Sequence, residues 1–523
     1  MNRLFLKIII IILATFEVSM CDDVVTNNDK YDISVKKFGY ILNKIINEHP
    51  DSINTIEYSE KIFDMMLKKL DPYSSYISKD DFQKLMNRSK GISYGLPFNL
   101  VFVNDTMRIL NEDGNKKYRV DYRIIQINEI SAKKENRREI NNLLTNDELK
   151  VVNVKIIDKN NDIKSFQIEK QIKDVSSIVY TEKLNDELLY VKLDMFSAST
   201  LIEFKNKIKN YQFESLLIDL RENTGGYVYS ASDIASVFID EGLLITSLVS
   251  KSGDYDSTYI SKDVGITIDC AVVLLVSEHT GSAAEIFAGC IQDYDRGYIV
   301  GEITEGKGLI QKLWSFADST ALSLVVGSYF TPLGRSIQKP YNDELLNELK
   351  DDLLIQGFDD DNEFSEMINR SGGRTKLPTY ITGKGRVLLG GGGIIPDEII
   401  QNDTIPMYTK ALISRQIFIE FAYLFYDNMD NYLAQFKDVK DFQLRFVIGN
   451  EVLISFSRYL QQRNILNKEL FNKEIEAIKT YIKTFIAYIK WGSYGFQYIK
   501  TSNDVDIKKA LDKIMNAKEL IKK

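Results

Sequence analysis

Six consecutive apolar residues, Ala271-Val272-Val273-Leu274-Leu275-Val276, limit what this chain can fold into more than any other stretch. So short a run, rich in β-branched side chains and free of polar ones, reads as a strand buried on both faces. Leu216-Leu217-Ile218-Asp219-Leu220-Arg221 is a second one. It ends in Glu222-Asn223-Thr224-Gly225-Gly226, with a helix predicted from Tyr227 to Phe238. After Val276, Thr280-Gly281-Ser282-Ala283-Ala284-Glu285 opens a helix whose apolar positions Ile286, Phe287, Cys290 and Ile291 recur at helical spacing. Strand, tight small-residue turn and helix form the α/β pattern, which exposes backbone N–H groups at the end of a sheet.

Ser282 and Glu285 fit a capping box, a serine followed three positions on by a glutamate, and a plain helix cap explains both. A nucleophile is compatible with the same position, because N–H groups at a helix N-terminus favour an oxyanion forming there. The next strand, Tyr298-Ile299-Val300-Gly301, leads into Glu302-Ile303-Thr304-Glu305-Gly306-Lys307-Gly308. That run fails as a phosphate-binding loop: Gly308 stands where a magnesium-holding Ser or Thr is required, two glutamates would repel phosphates, and an alternating segment follows from Leu309 where a helix should start. With only His49 and His279 in the chain, a Ser-His-Asp triad is poorly supplied and a His-rich zinc site cannot be built; a Gly-x-Ser-x-Gly elbow is absent. A Ser-Lys pair remains, since a lysine in an apolar pocket can lose its proton near neutral pH.

At these residues the chain resembles the C-terminal processing, or tail-specific, proteases, a family of Ser-Lys endopeptidases. Ser282-Ala283-Ala284-Glu285 is similar to the family's Ser-Ala-Ser-Glu turn, and Gly306-Lys307-Gly308 with Gln311 to its Gly-Lys-Gly loop. Asp219-Leu220-Arg221-Glu222-Asn223-Thr224-Gly225-Gly226 fits its Asp-x-Arg-x-Asn-x-Gly-Gly motif throughout. The resemblance implies Ser282 as nucleophile, Lys307 as base, Gln311 as the group orienting the lysine, and an oxyanion hole from Ala283 N–H and a glycine N–H, Gly225 or Gly226. It implies no metal or cofactor. Thr331 to Gln338 and Gly390 to Asp397 look like later motifs of the family, and Leu70-Asp71-Pro72 like its turn ahead of a PDZ domain. Glu305 departs from the pattern, where an aromatic residue usually precedes Gly306. A carboxylate facing Lys307 would raise the lysine's pKa, so Glu305 is expected to point to solvent.

The net charge of −8 argues against nucleic acid as a partner. Asn2, Arg3 and Lys7 ahead of Ile8-Ile9-Ile10-Ile11-Ile12-Leu13-Ala14 give the basic-then-apolar order of a secretory signal peptide. The protein is therefore expected to be exported, periplasmic or anchored on the extracytoplasmic side. Val18-Ser19-Met20-Cys21 resembles a lipoprotein box, which leaves membrane association through a lipidated Cys21 open. Cys270 and Cys290 fall on apolar strand and helix patterns and read as free buried thiols.

The expected organisation is a signal peptide (1–21), an N-terminal helical region (22–90), a PDZ-like β-domain (91–175), a Ser-Lys protease core (176–403) and a C-terminal helical domain (404–523) carrying no chemical motif. In family terms the fold class is α/β, a crotonase-like core of stacked β-β-α units with the PDZ-like domain inserted. PDZ domains seat a peptide's terminal carboxylate on successive loop N–H groups. Here Gly95-Leu96-Pro97-Phe98 puts a proline, which has no N–H, in that loop, so peptide binding and a purely structural β-domain both stand. The pattern is helical from Tyr31 to about Met86, broken at Leu70 to Ile77 and restarted at Ser78, and another helix is expected from Thr200, where Thr200 and Glu203 form a capping box; the acidic stretch Asp343 to Glu366 reads as a solvated insertion. The implied function is an exported serine endopeptidase acting on proteins with accessible C-termini. The competing reading is a catalytically silent binding protein of the same fold, and a weaker rival is a small-ester hydrolase.

Overall fold

The computed structural model describes residues 30–89, 92–110, 122–146, 149–158, 160–339, 377–400 and 405–522. The signal-peptide region, Cys21 and the acidic stretch from Asp343 to Glu366 lie outside them. Contacts divide the chain into two compact units, one built from the chain up to Ile77 with Leu313–Leu324, the other from Ser78–Lys312 and Val325 onward.

In the first unit, helix α1 (Lys30–Glu48) precedes α2 (Thr55–Lys68), whose N-cap Asn54 accepts the Glu57 N–H. Helix α2 has no buried residue, and Met65 and Met66 are 67% and 55% exposed. The predicted break at Leu70-Asp71-Pro72 has a local cause. The Asp71 carboxylate accepts the N–H groups of Tyr73 (2.8 Å) and Ser74 (2.6 Å) and the Ser74 hydroxyl (2.7 Å), a turn that competes with the helix. Strand β1 (Ser75–Ile77) then pairs antiparallel with Ala321–Ser323. Between Phe63, Met66, Tyr76, Phe316 and Leu322 lies an apolar cavity of about 630 Å³.

The second unit starts with α3 (Lys79–Ser89), where Ser78 Oγ accepts the Asp81 N–H. A β-rich region follows. Strand β2 (Ile92–Gly95) closes it by pairing with β9 (Gln171–Asp174). Between them a sheet in the order β3-β4-β5-β7-β8 is formed by β3 (Asn99–Val103), β4 (Thr106–Leu110), β5 (Arg123–Ile127), β7 (Val151–Ile157) and β8 (Ile163–Glu169). The short β6 (Ile130–Ser131) pairs with β5, and α4 (Arg137–Thr145) buries Ile140. In β7, Val152, Val154 and Ile156 are buried and alternate with exposed Asn153 and Lys155, the period-2 pattern of a sheet wet on one face.

The core sheet has the order β10-β11-β12-β15-β16-β21. Its strands are β10 (Ile178–Lys183), β11 (Leu188–Leu193), β12 (Ser215–Asp219), β15 (Ala271–Val276), β16 (Tyr298–Gly301) and β21 (Glu398–Ile399). All are parallel except β10, which is antiparallel to β11. Every residue of β11, β12, β15 and β16 is buried, as the apolar runs predict for β12, β15 and β16. On one face, Leu216, Ile218, Val272, Leu274 and Ile299 pack against α5 (Thr200–Ile208), α6 (Val228–Ala235) and α7 (Ala283–Asp293). At α5 the expected box does not form, and the N-cap makes no side-chain cap bond. Ser199 is the N-cap and donates to Glu203 Oε1, while the Thr200 hydroxyl accepts the Ser197 N–H instead. Flanking this core are β13 (Leu244–Ser250), β14 (Ser257–Ile260), which pairs with it, residues Gly327–Phe330 of β18 (Ala321–Phe330), also paired with β13, and the hairpin β19 (Thr379–Ile381) and β20 (Val387–Leu389); β17 is Leu309–Ser315.

The C-terminal region is helical: α8 (Met407–Ser414), α9 (Ile417–Leu433), α10 (Val439–Arg445), α11 (Asn450–Gln462), α12 (Lys468–Lys473), α13 (Ile475–Asn503), α14 (Val505–Asp512) and α15 (Ile514–Ile521). This region shares apolar clusters with two others. Val101, Val103 and Leu110 of the β-rich region join the aromatic cluster of α9–α13, and Arg108 pairs with Asp427 there at 2.5 Å. Helices α14 and α15 cover the second face of the core sheet, with Ile507, Ala510 and Ala517 against Leu217, Val273, Leu275 and Val300.

Candidate active site

Two turns meet at the end of the core sheet, one after β12 and one after β15. Leu220 N donates to Leu275 O (2.8 Å), Thr280 Oγ1 to Leu220 O (2.8 Å), Gly281 N to Asn223 O (3.0 Å), and Ser277 Oγ to Arg221 O. Asn223 is fully buried and shapes the first turn, donating through Nδ2 to Leu193 O (3.0 Å) and accepting the Gly225 N–H (2.9 Å).

Glycine is required at both ends of that turn's double-glycine step. Gly225 has φ +105°, and a Cβ there would stand 2.7 Å from Ser282 Cβ and 2.9 Å from Ala283 N; Gly226 has φ +141°, and its Cβ would fall 2.1 Å from Phe196 O. The sequence left either glycine open as an oxyanion donor. The Gly225 N–H is taken by Asn223, whereas the N–H groups of exposed Gly226 and of Ala283 have no acceptor among the described residues.

Ser282 is the N-cap of α7 and has φ +55°, ψ −119°. For a residue with a Cβ this backbone conformation costs about 1–3 kcal/mol and persists only where its surroundings enforce it. The sequence lacks the Gly-x-Ser-x-Gly pattern, yet the strand-to-helix turn strains the serine in the way that pattern does. Its N–H donates to Glu285 Oε2 (2.9 Å), and its carbonyl accepts from Glu285 N (2.9 Å) and Ile286 N (3.1 Å).

Glu285 does more than cap the helix. Its carboxylate, wholly buried, also accepts Gly306 N–H (2.8 Å), Lys307 N–H (2.9 Å) and the Thr304 hydroxyl. Burial pushes its pKa up to about 7, against four hydrogen bonds that favour the charged form. Ser282 N and Lys307 N both lie 2.9 Å from the same oxygen, so the two backbone nitrogens are at most twice that distance apart. Sequence reasoning identified Glu285 only as a capping partner. An acid in a helix otherwise lined with Ala, Ile and Phe was the available signal, but nothing local announced its bonds across to Gly306 and Lys307.

The lysine loop is fixed from its other side as well. Gly306 has φ +79° and passes Lys339, and Gly308 N donates to Gln338 Oε1 (3.0 Å). The Tyr329 hydroxyl donates to Lys307 O, and Lys339 Nζ to Thr304 O (2.6 Å). Thus Gln338, at the end of the Thr331–Gln338 stretch singled out in the sequence, buttresses the loop together with its neighbours Tyr329 and Lys339. Lys307 is half-buried, and Gln311 occupies an exposed position on β17. Glu305 does not face solvent as expected: it is half-buried over Gly281, where a Cβ would lie 1.9 Å from its Oε2. A glycine before Ser282 is what makes room for it. Cys290 is buried and Cys270 half-buried, both free.

Residues 187–344 match the model of peptidase family S41, and residues 408–492 match a family of unknown function (DUF8443). The chain is 35% identical over 161 residues to a carboxyl-terminal-processing protease of Picosynechococcus sp., an alignment covering 30% of this chain and 38% of that protein. It is 25% identical over 342 residues to a carboxy-terminal-processing protease of Bartonella bacilliformis, covering 61% and 76%. The solved photosystem II D1 C-terminal processing protease aligns with 20% identity and a TM-score of 0.35 over 59% of this chain and 84% of that one. The first of these relatives is thus matched over little more than a third of its length. Segment 187–344 is thus similar to peptidase family S41, and the chain is similar to carboxyl-terminal-processing proteases.

Proposed function

We propose that this protein is an exported serine endopeptidase that cleaves proteins near their C-termini through a Ser282–Lys307 dyad and an acyl-enzyme. In this reading neutral Lys307 takes the proton from Ser282 Oγ as that oxygen attacks the scissile carbonyl carbon. The N–H groups of Gly226 and Ala283 receive the developing oxyanion, and one such donor is worth about 3–4 kcal/mol of barrier. Collapse breaks the C–N bond, with the proton passing from Lys307 to the leaving amine; water then attacks the ester, again through the lysine, and frees Ser282. Gln311 orients the lysine. The observation that carries the reading is the single Glu285 carboxylate holding the backbones of Ser282 and Lys307, beside two N–H groups without acceptors among the described residues.

Export rests on the basic and apolar N-terminal order of the sequence, with Cys21 as the residue for a lipid anchor. The stacked core is read as crotonase-like and the β-rich region as PDZ-like, offering its sheet to a substrate C-terminus. Digestion of a C-terminally tagged protein by wild type, Ser282→Ala and Lys307→Ala, with product masses, tests the proposal. Cleavage by wild type alone, close to the tag, is expected. Equal cleavage by all three abandons the dyad, and binding without cleavage by any supports the silent scaffold.

A further inference from the structure

The C-terminal helices reach the oxyanion turn through one side chain. Arg221 is 15% exposed, and its guanidinium is filled by three carboxylates. Nε and Nη2 bond Asp219 (3.1 and 2.7 Å), Nη1 and Nη2 bond the two oxygens of Asp504 (3.2 and 2.8 Å), and Nη1 bonds Asp506 (3.3 Å). Asp504 stands at the junction of α13 and α14 and is held by capping α14, accepting Ile507 N–H at 3.1 Å. Asp506 is 5% exposed. Tyr190 donates to Asp219 at 2.7 Å, and Lys192 and Lys500 face the same cluster. The Arg221 carbonyl is held by Ser277 Oγ, and Asn223, two residues on, carries the Gly225 N–H.

We propose that Asp504 and Asp506 are positioning residues for the oxyanion turn, so that the C-terminal helical region is a working part of the peptidase site; this rests on the protease reading above. A fork-to-fork pair fixes a guanidinium in direction as well as distance. Without it, a buried cation must move to find water, and the backbone of Arg221 moves with it, shifting Gly226 against Ala283. Small displacements of this kind cost up to about a hundredfold in rate.

The test uses the full chain as wild type, the double variant Asp504→Asn/Asp506→Asn, Ser282→Ala, and Ala517→Gly, which loosens α15, a helix that holds neither aspartate. Steady-state peptide cleavage gives kcat and KM, thermal melting gives stability, and hydrogen–deuterium exchange follows residues 221–227. The double variant is expected to lose about ten- to a hundredfold in kcat with KM within about twofold, and to exchange faster over 221–227. Ala517→Gly is expected to melt earlier with kcat unchanged. The proposal is overturned if the double variant keeps wild-type kcat and exchange, or if Ala517→Gly loses kcat equally. Should wild type and Ser282→Ala cleave alike, the protease reading falls, and exchange over 221–227 alone decides the brace.

Discussion

The two faces of the core sheet are covered by different kinds of chain. On one face α5, α6 and α7 lie between the strands they cover, inside the stretch matched by the S41 family, and Phe204, Phe238 and Phe287 fill the space beneath them. On the other, α14 and α15 come from far beyond β21, outside that match, and bring smaller residues such as Ala510 and Ala517. The first face carries the serine at the end of α7, while the second supplies the partners of Arg221. A family motif can therefore be complete in sequence while half of its support lies elsewhere in the chain.

Deletion of residues 505–523 is the harshest way to break this comparison. It uncovers Leu217, Val273, Leu275 and Val300 together, and is expected to abolish the cooperative thermal transition of the core followed by circular dichroism. A core that still melts cooperatively would make the second face dispensable. Single truncations compare the faces directly. Phe287→Ala on the first should cost about 3–5 kcal/mol, and Ile507→Ala on the second about 2–5 kcal/mol, in denaturant unfolding. A neutral Ile507→Ala would show that the C-terminal helices rest on the sheet without packing into it.

Buried charge sharpens the contrast further. On the second face the Asp219 carboxyl is pushed up by burial, but the Arg221 charge, its hydrogen bonds and Lys192 together pull it further down, so it stays below its ordinary range. Glu285, on the first, has hydrogen bonds and no cation among its causes, and burial dominates. Its folded pKa, about 7, lies above the ordinary 4.5, so its contribution to stability is full below pH 4.5 and is lost as pH rises through 7. Relative to Glu285→Gln, wild type should lose about 3 kcal/mol across that window, read by urea unfolding at both ends. A pH-independent difference would mean that Glu285 is ionised throughout. The smallest effect belongs to Lys513, whose 3.0 Å pair with Glu398 is 28% and 25% exposed: Lys513→Met should change stability by less than about 1 kcal/mol in the same assay.

The parts legible in the sequence were those whose causes are local. Ala271–Val276 announces a two-sided strand because every position must be apolar, and Ser282 with Glu285 announces a helix start. The Asp219–Gly226 motif marked a turn of consequence, but its arginine is held by residues more than 280 positions away, which no periodicity connects. Helices α14 and α15 show the same amphipathic signature whether they shield a sheet or one another, so they read as an accessory. Glu305 was misread because its resting place depends on the missing side chain of Gly281, a neighbour across two turns.

The order in which the sheet and its cover are synthesised has a consequence for the newborn chain. When Ile399 has left the ribosome all six strands exist, yet their second face stays bare until Val505–Ile521 emerges. Through that interval a broad greasy surface is open to chaperones, and the carboxylates that settle Arg221 have not yet been made. The nascent chain thus carries Ser282 and Lys307 well before it can assemble the surroundings in which they sit.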